Sequence, residues 1–141
     1  MKIAIVGAGA MGSLFGAMLS KVAEVFLLDI NEKHVEKIRK NDLKVQNIDG
    51  STSVYEIFAA CRPETVPEKM HLAVIFTKSY HTKNAAETAR AILEPSGMAV
   101  TLQNGVGNIE TIREVLGYEN AVAGVTSHGG DYIGPGTVRH A

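Results

Sequence analysis

The sequence predicts an α/β fold in which a mostly parallel, doubly wound sheet is covered by helices on both faces. Short apolar strands alternate with amphipathic helices along most of the chain. Parallel neighbours need crossover connections, and the helical segments between the strands can supply them. A glycine-rich turn directly follows the first strand and leads into the first helix. The 141 residues suffice for one domain with its own core.

Composition and charge exclude several classes of function. Lys and Arg (14) nearly balance Asp and Glu (15), for a net charge of -1, so we expect neither nucleic-acid nor membrane-surface binding, which both need a cationic excess. Cys61 is the only cysteine, which excludes an internal disulfide framework and a cysteine-cluster zinc site and favours a cytoplasmic location. Glycines interrupt the apolar stretch that follows Lys2, which makes that stretch a poor signal peptide or membrane span.

The first half of the chain is predicted to hold two strand–helix units and a hairpin. Strands are expected at residues 3–6 and 25–28, and Asn31 is a suitable N-cap for the helix that carries Val35 and Ile38. Asp49-Gly50 is a strong hairpin signal. It predicts a β-hairpin insertion near residues 43–58, with strands at 43–48 and 51–58.

The second half continues the alternation of strands and helices. Helix-stopping residues and apolar runs set the expected bounds. The predicted strands are 72–76, 98–102, 121–125 and 137–140; the predicted helices are 79–93, stopped by Pro95 and Gly97, and a short one capped by Asn108 and ended by Gly117.

The glycine turn has the pattern G-x-G-x-x-G in the context that gives the pattern meaning, between a strand and a helix. Gly7 permits the tight turn, Gly9 lets the backbone approach a pyrophosphate, and Gly12 lets the helix and the strand pack closely. The helix N-terminus offers N–H groups and a partial positive charge to phosphates. We therefore predict a Rossmann-type dinucleotide site formed by Gly7, Ala8, Gly9, Ala10, Met11 and Gly12.

Asp29 stands at the end of the second strand, 22 residues after Gly7. A carboxylate there can accept both hydroxyls of the adenosine ribose and would repel a 2′-phosphate, which favours NAD(H) over NADP(H). The alternative is a turn or cap residue without a role in binding.

Polar residues follow three further predicted strands. Thr77-Lys78, Asn104-Gly105 and Ser127-His128 all fall at carboxyl ends of strands, and in a doubly wound sheet these ends lie on the edge where ligands bind. They are candidates for the nicotinamide ribose, its carboxamide or a substrate oxygen. A solvent lysine, a turn asparagine and a loop histidine are the structural alternatives. The remaining histidines lack metal spacing, and Cys61 is interpreted as a small hydrophobic residue.

These motifs together resemble the amino-terminal half of the ketopantoate reductase (2-dehydropantoate 2-reductase) family. The carriers of the resemblance are the glycine turn, Thr77-Lys78, the run Gln103-Asn104-Gly105-Val106-Gly107, the run 124–130 and the run 136–140. The family reduces ketopantoate to pantoate with NADPH on the route to pantothenate. The resemblance implies cofactor contacts at residues 7–12, Lys78, Asn104 and Gly130.

Two departures from the family pattern affect the expectations. Asp29 stands where well-known members place a cationic or neutral residue that holds the 2′-phosphate. The family is also about twice this length, and its helical carboxyl-terminal domain supplies the proton-donating lysine and most substrate contacts. We therefore expect no catalytic residue and no turnover in this chain alone, with the keto-acid substrate bound only when that domain is present.

Two other functions stay open at this point. A stand-alone NAD(H)-sensing module, such as the regulatory domains of potassium transporters, has similar length and the same glycine turn. The cofactor domain of another keto-acid or imine reductase is the second alternative. Thr77-Lys78 and the Asn104-Gly105 run have no evident role in a sensor and favour the reductase.

We also divide the chain at residue 130. Residues 1–130 are predicted to form the dinucleotide-binding domain and residues 131–141 the start of a connection to a second domain. On that division, residues 137–140 are expected to be an unpaired edge, and residues 131–141 to be either poorly ordered or paired with a neighbouring chain, which makes a homodimer one expected arrangement.

Overall fold

The computed structural model describes residues 1–78, 81–103 and 106–141 and has two β-sheets with helices between and around them. In chain order the elements are β1 (Lys2–Val6), α1 (Ala10–Leu19), β2 (Glu24–Leu28), α2 (Glu32–Asn41), β3 (Leu43–Gln46), β4 (Thr52–Tyr55), β5 (Phe58–Ala60), β6 (Met70–Ile75), α3 (Thr82–Ile92), β7 (Leu93–Thr101), α4 (Asn108–Leu116), β8 (Ala121–Ala123), β9 (Gly130–Gly134) and β10 (Thr137–His140). Short 3₁₀ turns lie at Pro63–Thr65 and Tyr118–Asn120.

The main sheet is parallel and has β1 near its centre. The strand order among the described residues is β5-β2-β1-β6-β7-β8, and each neighbouring pair is parallel. Ile3, Ala4 and Ile5 of β1 are almost fully buried, as expected for a strand covered on both faces. The chain runs outward from β1 in both directions, so a switch point lies between β1 and β6. The predicted doubly wound α/β class is confirmed.

Helices cover both faces of this sheet. α3 and α4 bury small and branched residues, among them Ala86, Ala89 and Ile112, against one face. α1 and α2 cover the other face, where Leu14 and Ile38 join the core. This alternation places every strand-to-helix turn of β1, β2 and β6 at one edge of the sheet.

The predicted hairpin exists, but its second strand is shorter than expected. β3 and β4 pair antiparallel across a turn in which Gly50 has φ +89° and the Asp49 carboxylate accepts the Ser51 N–H at 2.9 Å. The prediction that one strand runs from 51 to 58 is wrong. Ile57 is buried, and Phe58 begins β5, which joins the main sheet beside β2.

The last strands complete a second sheet with the order β4-β3-β10-β9. β10 pairs parallel with β3 and antiparallel with β9, and Val138 is fully buried in the core that α1 and α2 share with β3. The expectation that residues 137–140 form an unpaired edge is therefore wrong. A two-stranded hairpin leaves one edge of β3 open, and β10 pairs along that edge with Val138 opposite Val45. This register turns Val138 toward the core. The domain boundary at residue 130 stays a prediction.

Several bounds in the second half also differ from expectation, and the differences around α3, α4 and β8 have physical reasons or consequences. α3 ends at Ile92, and Pro95 and Gly97 lie inside β7 beside a register shift, which accommodates a residue without an N–H. The N-cap of α4 is Gly107, with φ +90°, whereas Asn108 lies inside the helix and is buried. β8 ends at Ala123 rather than at residue 125.

Candidate functional site

A cavity of about 1010 Å³ opens at the carboxyl ends of β1, β2, β6 and β7. Its volume is at the upper end of the range for small-molecule and cofactor sites. Predicted site residues that line it are Gly7, Gly9, Ala10, Met11, Gly12, Asp29, Thr77, Lys78, His128 and Gly130. Ala8 belongs to the same turn but is 1% exposed and does not line the cavity. Asn104 lies outside the described residues.

The structural reason for having a glycine differs among the three motif positions, 7, 9 and 12. Gly7 has φ +98°, and a Cβ there would lie 2.6 Å from the Thr77 backbone nitrogen. A Cβ at Gly12 would overlap the Gly7 carbonyl oxygen. At Gly9, φ is negative and no described atom lies within 4 Å of an added Cβ. Packing against neighbouring atoms thus requires glycine at positions 7 and 12. At position 9 the protein leaves open space on the side of the cavity.

The N-terminus of α1 faces this open space without a protein cap. No side chain among the described residues caps α1, and its first turn carries no acid. The first intrahelical bond is donated by Ser13 N–H to the Gly9 carbonyl at 3.0 Å. The N–H groups of Ala10, Met11 and Gly12 precede it and have no acceptor within the helix. By contrast, Asn31 caps α2 as predicted, by accepting the His34 N–H at 3.2 Å.

Asp29 lies at the far side of the cavity from Lys78 along the sheet edge, at the end of β2. One carboxylate oxygen, Oδ1, accepts the Asn31 N–H at 2.8 Å. The side chain therefore belongs to the turn before α2 and also lines the cavity. Cys61 lines the same region, and burial with the nearby Glu32 and Asp29 carboxylates raises the pKa of its thiol, which disfavours a nucleophilic role.

A hydrogen-bond network that the sequence analysis missed supports the Thr77 side of the cavity. The Gln103 amide nitrogen donates to the Thr77 carbonyl and to the Thr82 hydroxyl, and its amide oxygen accepts from Thr101. The Thr82 hydroxyl donates in turn to Asn108 at 3.0 Å. The network connects the ends of β6 and β7 to the starts of α3 and α4. The signals in the sequence were that Gln103 directly follows the predicted strand 98–102 and begins a run that carries the family resemblance.

His128 lies where the cavity meets the second sheet. Its ring packs edge-on against Phe15, with centroids 5.8 Å apart, and its Nδ1 lies 3.0 Å from Nε2 of His140. Ser127 does not line the cavity. Gly130 begins β9 beside the glycine turn, where an added Cβ would lie 3.3 Å from the Ala10 carbonyl oxygen.

Comparison with known proteins identifies the family. The family model described as ketopantoate reductase PanE/ApbA matches residues 3–141. The chain belongs to the ketopantoate reductase family. It is 39% identical over 139 residues to the 2-dehydropantoate 2-reductase of Pyrococcus abyssi and 34% identical over 142 residues to that of Halobacterium salinarum. These alignments cover 99% and 100% of this chain but 44% and 46% of the two relatives.

Solved structures agree with this assignment. D-mandelate dehydrogenase, solved with NADH and anilino(oxo)acetate, superposes with a TM-score of 0.92 at 30% identity. A 2-dehydropantoate 2-reductase homologue from Enterococcus faecalis superposes with a TM-score of 0.90 at 31% identity. Each match covers 100% of this chain and less than half of the other, at 45% and 46%. The chain therefore spans less than half the length of these four relatives.

The described residues of the chain contain no group of three His, Cys, Asp or Glu side chains placed to hold a metal ion. None of its described helices is long and apolar enough to span a membrane.

Proposed function

We propose that this chain binds a nicotinamide dinucleotide in the cavity, with the pyrophosphate at the glycine turn. The observation that carries the proposal is the open space at Gly9 in front of the uncapped N-terminus of α1. Unpaired N–H groups and the partial positive charge of a helix N-terminus stabilise a bound anion. The NADH in the D-mandelate dehydrogenase structure supports the same ligand class.

The site's two ends support one orientation of the ligand. Asp29 lies beside the glycine turn at the end of β2, where its carboxylate would accept hydrogen bonds from the hydroxyls of an adenosine ribose. Thr77, Lys78 and His128 line the other part of the cavity and are proposed to lie near the nicotinamide half. Asn104 and Gly130 stay proposed cofactor contacts on the family resemblance.

Cofactor choice is proposed to be NAD(H), although the family resemblance implies NADP(H). A carboxylate at Asp29 would repel a 2′-phosphate. The solved relative with NADH bound favours the same cofactor.

The test of dinucleotide binding is calorimetric titration of NADH into the chain and two glycine variants. Gly9→Val places a branched side chain in the space proposed for the pyrophosphate and should abolish binding. Gly134→Val is the matched control, because a Cβ there also meets no described atom within 4 Å and Gly134 does not line the cavity. An unchanged NADH affinity in Gly9→Val would contradict the proposal. An equal loss of NADH affinity in both variants would contradict the placement of the pyrophosphate at the glycine turn.

The whole family's reaction is proposed to need residues beyond those of this chain. Reduction of a 2-keto acid moves a hydride from the dinucleotide to the carbonyl carbon and a proton to its oxygen, and the acid must lie within hydrogen-bond reach of that oxygen. Among the described residues that line the cavity, Lys78 is the lysine that could act as the acid. We propose that it contacts the cofactor and not the substrate oxygen. Ketopantoate reduction by this chain alone should therefore be undetectable by NADH or NADPH oxidation; measurable turnover would contradict this.

A second substrate class has a specific observation in its favour. The D-mandelate dehydrogenase structure, at 30% identity, shares this domain's fold as closely as the reductase from Enterococcus faecalis does. The cofactor domain of a dehydrogenase for another 2-keto acid is thus the alternative function. A cytoplasmic location, the absence of nucleic-acid and membrane partners and a homodimer stay predictions.

A further inference from the structure

A buried chain of hydrogen bonds lies directly behind the glycine turn, on the side away from the cavity. The Ser13 hydroxyl donates to the Ala8 carbonyl at 2.8 Å, and Nε2 of His34 lies 3.1 Å from the same hydroxyl oxygen. The Gly136 N–H donates to Nδ1 of His34 at 2.8 Å. Ser13 and His34 are 0% and 1% exposed, and neither lines the cavity.

The chemistry of the groups fixes the direction of every proton in this chain. A backbone N–H can only donate, so Nδ1 of His34 must accept from Gly136 and carry no proton. The neutral ring then carries its proton on Nε2 and donates it to the Ser13 oxygen. The Ser13 hydroxyl then donates its own proton to the Ala8 carbonyl oxygen, which can only accept. The bonds therefore form one directed chain from Gly136 to Ala8.

This direction determines how the next peptide group faces the cavity. In a trans peptide the C=O and the following N–H point in opposite directions, and the described residues contain no cis peptide bond. Because the Ala8 carbonyl points back to buried Ser13, the Gly9 N–H points the other way, toward the cavity that Gly9 lines.

We propose that Ser13 and His34 are positioning residues that hold the Ala8–Gly9 peptide with its N–H aimed at the cofactor phosphates. The inference rests on the proposed dinucleotide function, because it names the groups that orient one donor of that site. Neither residue touches the ligand. Their effect is exerted through the peptide plane, so it should be larger for a ligand with phosphates than for one without them.

The same chain connects the glycine turn to the turn between β9 and β10. Gly136 has φ +76°, and an added Cβ would lie 2.7 Å from the side chain of Lys37 on α2. The ring of Tyr132 on β9 packs edge-on against His34, with centroids 5.2 Å apart. His34 is thus held from both sides, so its Nε2 presents a fixed donor to Ser13.

The test compares the NADH and adenosine affinities of the 141-residue chain and its Ser13→Ala variant. Loss of one positioned hydrogen bond should weaken NADH binding by about 5- to 10-fold. Adenosine, which has no phosphate, should change by less than about 2-fold. Ser20→Ala is the matched control, because the Ser20 hydroxyl donates to a backbone carbonyl, Ala17, at the other end of the same helix. It should change neither affinity.

Two variants at His34 keep the inference testable if Ser13→Ala fails to fold. His34→Gln retains an amide N–H donor toward Ser13 and should keep most of the NADH affinity. His34→Phe removes the donor and should weaken NADH binding as Ser13→Ala does. In ¹⁵N spectra, the NADH-induced shift of the Gly9 amide should shrink in His34→Phe. Equal losses for NADH and adenosine, or unchanged NADH affinity, would overturn the inference and leave the proposed function intact. Failure of the unsubstituted chain to bind NADH would overturn both.

Discussion

At the residue scale, the site separates glycines required by packing from the glycine that leaves room for a ligand. Gly7 and Gly12 have no space for a Cβ, so their substitution would damage the strand–turn–helix unit itself. Gly9 has that space and a negative φ, so its substitution changes the cavity and not the fold. The motif predicted the same division of roles, but not the atoms that enforce it, because the positions of Thr77 and of the Gly7 carbonyl depend on the three-dimensional fold.

Asp29 makes a direct prediction about cofactor choice. If its carboxylate accepts the ribose hydroxyls, NADH should bind more tightly than NADPH by about 1 to 3 kcal/mol, the scale of a hydrogen bond to a charged group. Asp29→Asn keeps an oxygen for the Asn31 N–H but removes the charge, so it should narrow the difference while leaving the turn intact. Titration of both cofactors into both proteins measures it. Equal or reversed affinities in the unsubstituted chain would mean that Asp29 serves only the turn.

His34 makes a prediction about the pH dependence of stability. Burial lowers the pKa of His34 below its ordinary value, against the opposing effect of the Asp29 charge. Its Nδ1 accepts the Gly136 N–H, and the ring of Tyr132 on β9 packs edge-on against its imidazole.

The sign follows from the lowered pKa. The unfolded chain takes up the proton near the ordinary histidine pKa, and the folded chain resists it. The stabilising contribution is therefore complete above about pH 6.5 and is lost as the pH falls toward the folded-state pKa, at no more than about 1.4 kcal/mol per pH unit. Urea unfolding at several pH values between 7.5 and 5 should show a steeper loss for the unsubstituted chain than for His34→Gln. Parallel pH profiles would contradict the buried, neutral histidine.

Among the secondary-structure elements, local sequence patterns predicted which segments are strands and helices better than they predicted which segments contact one another. The periodicity at 35 and 38 and the Asn31 cap gave α2 correctly, and Asp49-Gly50 gave the hairpin turn. β10 was predicted as a strand but assigned no neighbour, because its pairing with β3 joins residues more than ninety positions apart. His34 was missed for a related reason. It shares the inner face of α2 with Ile38, but its partners Ser13 and Gly136 lie in distant segments.

The pairing of β10 predicts a measurable cost when its buried side chain is shortened. Val138 is 0% exposed, so Val138→Ala should lower the free energy of unfolding by about 2 kcal/mol. Val125→Ala is the matched control, because Val125 is 97% exposed and its truncation should change stability by less than about 0.5 kcal/mol. Chemical denaturation measures both. A neutral Val138→Ala would mean that β10 does not pack on the core in solution.

At the scale of the whole molecule, the cavity gathers most of the residues that the sequence singled out, because parallel strands bring their carboxyl ends to one edge. Topology explains this success for the glycine turn, Asp29 and Thr77-Lys78, which were predicted from their places at the ends of strands, whereas Gly130 was predicted from the family resemblance. Gln103 and its network were not chosen, because no local pattern shows that one amide reaches both Thr77 and Thr82. The unpaired edge at residues 137–140, from which self-association was predicted, does not exist, because β10 has neighbouring strands on both sides.

Amide chemical shifts can show directly whether a nicotinamide dinucleotide binds in this cavity with its phosphates at the glycine turn. ¹⁵N-labelled chain should be titrated with NADH and the perturbed backbone amides assigned. We predict that the largest shifts fall at residues 9–12, with further shifts at Asp29, Thr77 and Gly130. Saturating shifts confined to exposed positions outside the cavity, such as Tyr118 and Val122, or no shifts at all, would contradict it.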